Sequence, residues 1–136
     1  NTQEDSYEDV LKNAKFALHV SKLNGKNTFT PYSEDEYLSY IRRIDIQEEL
    51  RKCVENDFKG FEVYYQPIMK PQTNTLYGSE ALIRWHSEKY GFMSPVDFVP
   101  LLEESALIIP LGKWIIENAV RQCKAWVSVY PDYNEY

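Results

Sequence analysis

Cysteine is nearly absent from this chain. Cys53 and Cys123 stand 70 residues apart, a spacing that fits no zinc site. Each falls on an expected helix beside apolar neighbours, so both read as reduced packing residues. Histidine is as scarce: His19 and His86 are isolated, and a lone histidine is more often a surface or capping residue than a base or a ligand. No run of 18 apolar residues occurs, so nothing in the sequence crosses a bilayer as a helix. Asn1 to Asp9 is polar and acidic, unlike a signal peptide, and a cytoplasmic setting is expected, with any membrane anchor elsewhere in a parent protein. Basic residues are in deficit, 15 against 21 acidic ones, for a net charge of -6. That excludes general binding along a nucleic-acid polymer, which needs a basic footprint. There is no internal repeat and no low-complexity tract.

What is present suffices for one modest core: 136 residues, 43% of them hydrophobic. The charged share, 26%, is that of an ordinary globular chain and argues against wholesale disorder. Ser6 with Asp9 reads as a helix start, followed by Leu11, Ala14, Ala17 and Leu18 at helical spacing and a stop at Asn24-Gly25. A short extended piece is expected over Thr28 to Tyr32. Ser33 with Glu36 opens a mostly charged helix by a capping box. Asp45 with Glu48 repeats that signature where the apolar stripe changes phase to Ile46, Leu50, Cys53 and Val54. A hinge between two units is placed near residues 43 to 46.

After a turn at Asn56 to Gly60, strands are expected over Phe61 to Met69 and Leu76 to His86, joined by Pro71 to Asn74. Ser94-Pro95 with Asp97 starts a further helix, with proline where its missing N–H costs nothing, ending near Ser105. The last helix, about Leu111 to Val129, aligns Leu111, Trp114, Ile115, Ala119, Gln122, Cys123 and Trp126 on one side.

Strand alternation sorts the second strand chemically. Glu80, Leu82 and Arg84 share one face, and Ser79, Ala81, Ile83 and Trp85 the other. The second face is apolar enough to pack under helices. The first carries a carboxylate and a guanidinium about 13 Å apart, too far to pair. A metal ion with an anionic substrate would supply a partner for each; a half-exposed strand facing solvent is the plain alternative.

Four blocks carry a resemblance. Tyr64-Tyr65-Gln66-Pro67-Ile68, Glu80-Ala81-Leu82 with Arg84, Ser94-Pro95 with Phe98-Val99-Pro100, and Leu111-Gly112-Lys113-Trp114 follow the order and spacing of the EAL domain. That family hydrolyses the bacterial second messenger cyclic di-GMP, and the resemblance runs from about residue 46 to 130. It implies that Glu80 binds a metal, Mg²⁺ or Mn²⁺, and that Gln66, Leu82 and Arg84 contact the dinucleotide. Arg84 would take a phosphate oxygen and Leu82 a guanine base. A structural amide at Gln66, a core leucine at Leu82 and a surface arginine at Arg84 are the plain alternatives. A phosphodiester ligand is compatible with the acidic balance, because a metal and a local arginine reverse the sign within a pocket.

Upstream, Asn13 to Asn27 resembles the closing helix and turn of a GGDEF domain, the diguanylate cyclase family. Lys15 replaces an aspartate usual there and His19 a tyrosine, and the glycine-rich catalytic signature of that family is absent. The expected organisation is therefore a GGDEF-like tail over 1–32, a linker helix over 33–45 and the first part of an EAL domain over 46–136. The expected fold is an α+β fragment, the beginning of an EAL-type (β/α)₈ barrel. Such a barrel needs about 250 residues, and about 90 follow the hinge.

The resemblance implies metal-assisted hydrolysis of cyclic di-GMP to a linear dinucleotide by the complete domain, with the fragment alone inactive. Two other readings stay open: a receptor that binds cyclic di-GMP without cleaving it, and a linker or interaction module. Because an incomplete barrel leaves open strand edges, self-association is also expected.

Overall fold

Local hydrogen bonds open the first two helices where the sequence indicates. The Asp9 N–H donates to Ser6 Oγ at 3.2 Å while the Ser6 N–H donates to Asp9 Oδ2 at 3.3 Å, the reciprocal exchange that satisfies two otherwise unpaired donors. Helix α1 then spans Tyr7–Leu23, and Gly25 beyond it takes a φ of 99°. Ser33 Oγ accepts the Glu36 N–H at 3.4 Å, and α2 spans Glu34–Glu55. The computed structural model describes residues 6–23, 25 and 31–130. Residues 28–30 of the expected extended piece lie outside these, and Pro31 and Tyr32 are not in a strand.

One expectation fails inside α2. Asp45 with Glu48 starts no new helix; the helix runs through both. A cap acts on amides that lack a partner, and in the middle of a helix the N–H groups already bond to carbonyls four residues back.

The chain divides into two units, Asn1–Asp45 and Ile46–Tyr136. In the first, Phe16 is buried under a ring of tyrosines. Its centroid lies 5.3 Å from Tyr37, 5.4 Å from Tyr40 and 6.3 Å from Tyr32. These contacts place three of the chain's eleven tyrosines.

The second unit holds strands β1 (Phe61–Lys70), β2 (Thr75–Ser87) and β3 (Gly91–Met93), followed by α3 (Pro95–Glu104) and α4 (Ile108–Val129). The sheet is antiparallel in the order β1-β2-β3. Among the described residues the chain is thus a mixed α/β arrangement of four helices and one three-stranded sheet. The sequence reading missed β3, which at three residues is too short to show alternation. Gly60 fixes the entry to β1. Its φ is 90° and an added Cβ would stand 2.7 Å from the His86 carbonyl oxygen, so only glycine fits.

The core lies under one face of the sheet at the end away from the β1–β2 turn. Leu50 of α2, Phe61, Trp85, Phe98, Leu102 and Leu111 meet there. The Trp85 ring stacks on Phe61 at 5.9 Å and meets Phe98 edge-on at 5.5 Å. Helix α3 starts at Pro95 as expected, although the Ser94 hydroxyl makes no cap; the Asp97 N–H donates instead to the Ser94 carbonyl at 2.9 Å. Ala106, at φ 58°, breaks the chain between α3 and α4. Helix α4 begins at Ile108 rather than Leu111, because Pro110 is tolerated within a first turn.

Burial along α4 falls from Leu111 to Trp126. Trp114 stacks on Phe58 at 5.2 Å and Trp126 meets Tyr65 edge-on at 5.0 Å. Cys123 is exposed, against its expected packing role: it stands about 100° around the helix from Gln122, off the side that faces the sheet. Both cysteines are free thiols. Burial pushes the Cys53 thiol above its ordinary value, partly offset by the Trp85 indole.

At the far end of the hairpin the apolar face is uncovered. Met69 is 44% and Leu76 37% exposed, and Ala81 is exposed as well. β1 forms one edge of the sheet, and β3 covers β2 only from Trp85 to Ser87.

Candidate functional site

The face opposite the core carries the residues singled out from the sequence. In register, Gln66 stands opposite Glu80, Tyr64 opposite Leu82 and Glu62 opposite Arg84. Directly opposite Cβ atoms lie about 4.5–5.5 Å apart, and successive rows on one face are about 7 Å apart. The hairpin therefore gathers Gln66, Glu80, Leu82 and Arg84 on a single surface. Gln66 and Glu80 are exposed, and Leu82 and Arg84 half-buried.

A β-bulge reconciles this arrangement with the pairing at the turn. Lys70 pairs with Thr75 and Met69 with Leu76, but Ile68 pairs with Gly78, so Tyr77 is the extra residue. Without it, continuing the ladder from the turn would set Gln66 opposite Ser79 and send Glu80 to the other face.

Arg84 is already held. Its Nη1 donates to the Ile83 carbonyl at 2.8 Å, and its guanidinium carbon lies 5.6 Å from the centre of the Tyr64 ring. Glu62, directly across, forms no ion pair with it among the described residues. The remaining N–H donors of a planar fork suit a phosphate oxygen.

Glu80 offers hard carboxylate oxygens to a divalent cation, and the Gln66 amide is its nearest neighbour in register. Glu62 lies two rows away, about 13 Å along the strand direction, too far to share that ion. Among the described residues no three His, Cys, Asp or Glu side chains converge on one point. The face thus fits one edge of a metal site, with other ligands needed from beyond it.

The end of β2 away from the β1–β2 turn is braced by Glu49 of α2. Ser87 Oγ donates to Glu49 Oε1 at 2.7 Å, and the Lys89 N–H reaches the same oxygen at 3.2 Å. Ser87 Oγ in turn accepts the Tyr90 N–H at 2.8 Å. Sequence reasoning missed Glu49, whose partners lie about forty residues away, and missed Tyr64 and Glu62 as neighbours of Arg84. For the last two the signal was available: they alternate with Gln66 on β1. His86 continues the same face at the end away from the β1–β2 turn, with its ring 5.3 Å from Phe92. A separate open groove of about 490 Å³ lies in the first unit, lined by Lys12, Phe16, His19, Tyr37 and Tyr40 among others; none of the sequence-derived site residues borders it.

Residues 44–133 match the model of the EAL domain. The chain belongs to the EAL domain family. Among curated proteins it is 36% identical to an uncharacterized protein of Synechocystis over 94% of its length. It is 33% identical to the cyclic di-GMP phosphodiesterase PdeR of Escherichia coli over 86%, and 27% identical to the bifunctional diguanylate cyclase/cyclic di-GMP phosphodiesterase MucR of Pseudomonas aeruginosa over 88%. It spans only 18%, 17% and 17% of those proteins. Among solved structures, the MucR phosphodiesterase in complex with cyclic di-GMP superposes with a TM-score of 0.58 at 30% identity. That match covers 63% of this chain and 34% of that one. The EAL enzyme Bd1971 in its cGMP-bound form gives 0.59 at 25% identity, covering 96% and 32%. This EAL-domain segment therefore resembles EAL structures in fold, and some of its EAL relatives are cyclic di-GMP phosphodiesterases.

Proposed function

We propose that this chain is the opening part of an EAL domain in a bacterial cyclic di-GMP signalling protein, and that the complete domain hydrolyses cyclic di-GMP to the linear dinucleotide pGpG. The observation that carries the reading is the register of the hairpin, which puts Gln66, Glu80, Leu82 and Arg84 on one surface. The names of relatives support the substrate.

In this reading Glu80 holds a divalent cation, Mg²⁺ or Mn²⁺, which supplies Lewis-acid activation of water and phosphodiester. Arg84 binds a phosphate oxygen, Leu82 packs against a guanine base and Gln66 orients the dinucleotide. The hairpin is the start of the (β/α)₈ barrel, and the fragment by itself is inactive, because one carboxylate does not assemble a catalytic metal site. Residues 1–32 are the tail of a GGDEF-like domain and 33–45 a linker. Support comes from the bifunctional MucR protein, whose similarity extends over 88% of the chain. The setting is cytoplasmic; no described helix is long and apolar enough to cross a membrane. The fragment associates with copies of itself through its open strand edges.

A receptor that binds without cleaving uses the same face, so product formation decides between them. The full-length protein with Mg²⁺ or Mn²⁺ is expected to convert cyclic di-GMP to the linear dinucleotide, read by chromatography. Saturable binding with no product would replace the hydrolase by the receptor.

A further inference from the structure

Arg84 is a cation on the site face in the row next to Leu82, and its surroundings single out a residue with no assigned role. The nearest acid in register is Glu62, yet the two form no ion pair among the described residues. The guanidinium lies instead 5.6 Å from the centre of the Tyr64 ring and donates to the Ile83 carbonyl at 2.8 Å. Tyr64 reaches it diagonally, because its own partner in register is Leu82. Diagonal neighbours on one face are within reach of an aromatic side chain.

The choice of partner matters chemically. A carboxylate would occupy the guanidinium fork and neutralise its charge. An aromatic face attracts the cation without accepting its in-plane N–H donors. We propose that Tyr64 is the positioning residue for Arg84, pinning the guanidinium between its ring and the Ile83 carbonyl while leaving the other N–H groups for a phosphate of the ligand. Tyr64 itself is 50% exposed, which suits a surface built for a ligand better than a core contact. The substrate half of this inference rests on the proposed reading of Arg84 as a phosphate contact; the positioning half does not.

Two measurements separate the halves. In the 136-residue chain, ¹⁵N relaxation of the Arg84 Nε–H group reports side-chain order. Tyr64→Leu is expected to mobilise it, and Tyr64→Phe, which keeps the ring, to leave it ordered. Unchanged order in Tyr64→Leu overturns the proposal. In the full-length protein, Tyr64→Leu is expected to raise the apparent KM for cyclic di-GMP about two- to five-fold at unchanged kcat. Tyr64→Phe restores it, and Tyr64→Leu adds nothing once Arg84 is alanine. If Arg84→Ala itself leaves KM unmoved, the phosphate reading fails and takes the substrate half with it. If Arg84→Ala raises KM but Tyr64→Leu does not, positioning by Tyr64 is overturned and the phosphate reading stands.

Discussion

Gln66 and Glu80 stand directly opposite each other across the β1–β2 ladder, and one inserted residue, Tyr77, joins that register to the different one at the turn. Register is contested at the two ends of this hairpin. The turn alone would set Gln66 opposite Ser79; the core demands Phe61 opposite Trp85. Fully burying a large apolar side chain is worth about 1.5–3 kcal/mol, and a one-residue slip would put Phe61 and Trp85 on opposite faces and expose one of the two rings. The core should win. Deleting Tyr77 is therefore expected to leave the cross-strand nuclear Overhauser contact between Gln66 and Glu80 intact, with changes confined to the turn end. A new contact between Gln66 and Ser79 would show that the bulge, and not the core, sets the register.

Gly60→Ala should destabilise the second unit by more than about 1 kcal/mol. The replaced residue holds a φ of 90° and has a backbone oxygen 2.7 Å from the new Cβ, and backbone cannot swing aside as a flexible side chain does. Urea unfolding followed by circular dichroism measures it; an unchanged midpoint would mean that the entry to β1 relaxes at no cost.

The ion pair between Lys59 and Glu88, 2.7 Å apart, makes a pH-dependent contribution whose sign is fixed. Its hydrogen bond and charge lower the Glu88 carboxyl below its ordinary 4.5 and raise the Lys59 ammonium above 10.5. The Glu88 share is present above the unfolded carboxyl value and lost as pH falls through the depressed folded one. The Lys59 share is present below the unfolded ammonium value and lost as pH rises through the raised folded one. A double-mutant cycle with Lys59→Met and Glu88→Gln should give a flat coupling at neutral pH, fading at both extremes and with added salt. Both side chains are largely exposed, so the coupling is small. A coupling independent of pH would refute the pairing.

Much of the site face was legible before the structure, and the reason is period. Alternation assigns Glu80, Leu82 and Arg84 to one side of β2 without reference to anything else. The register of the strands was not legible, because it requires a bulge at Tyr77 that no local signal announces. Nor was Glu49 bonding to Ser87, since a long-range contact leaves no mark on nearby sequence. Asp45 misled for the opposite reason: a capping pattern is local, and it is silent once the helix around it is already formed. The helix start at Ile108 hid behind Pro110, which reads as a stop unless it falls in a first turn.

The uncovered end of the hairpin should make the isolated chain self-associate. Met69, Leu76 and Ala81 are exposed on the apolar face, and β1 offers an unpaired edge. Light scattering over a concentration series is expected to give a mass that rises above that of one chain. A monomer at high concentration with cooperative unfolding would contradict this.

The proposed function requires the Gln66–Glu80–Leu82–Arg84 face to be a metal-and-phosphate surface. The most direct test is paired titration of the full-length protein, metal against substrate, in Glu80→Ala and Arg84→Ala. A split is expected. Glu80→Ala weakens the response to Mg²⁺ or Mn²⁺. Arg84→Ala leaves the metal curve in place and weakens apparent binding of cyclic di-GMP by about 1.5–3 kcal/mol, the worth of a charge-assisted hydrogen bond. If both variants match the unmodified protein in both titrations, the face is not the site.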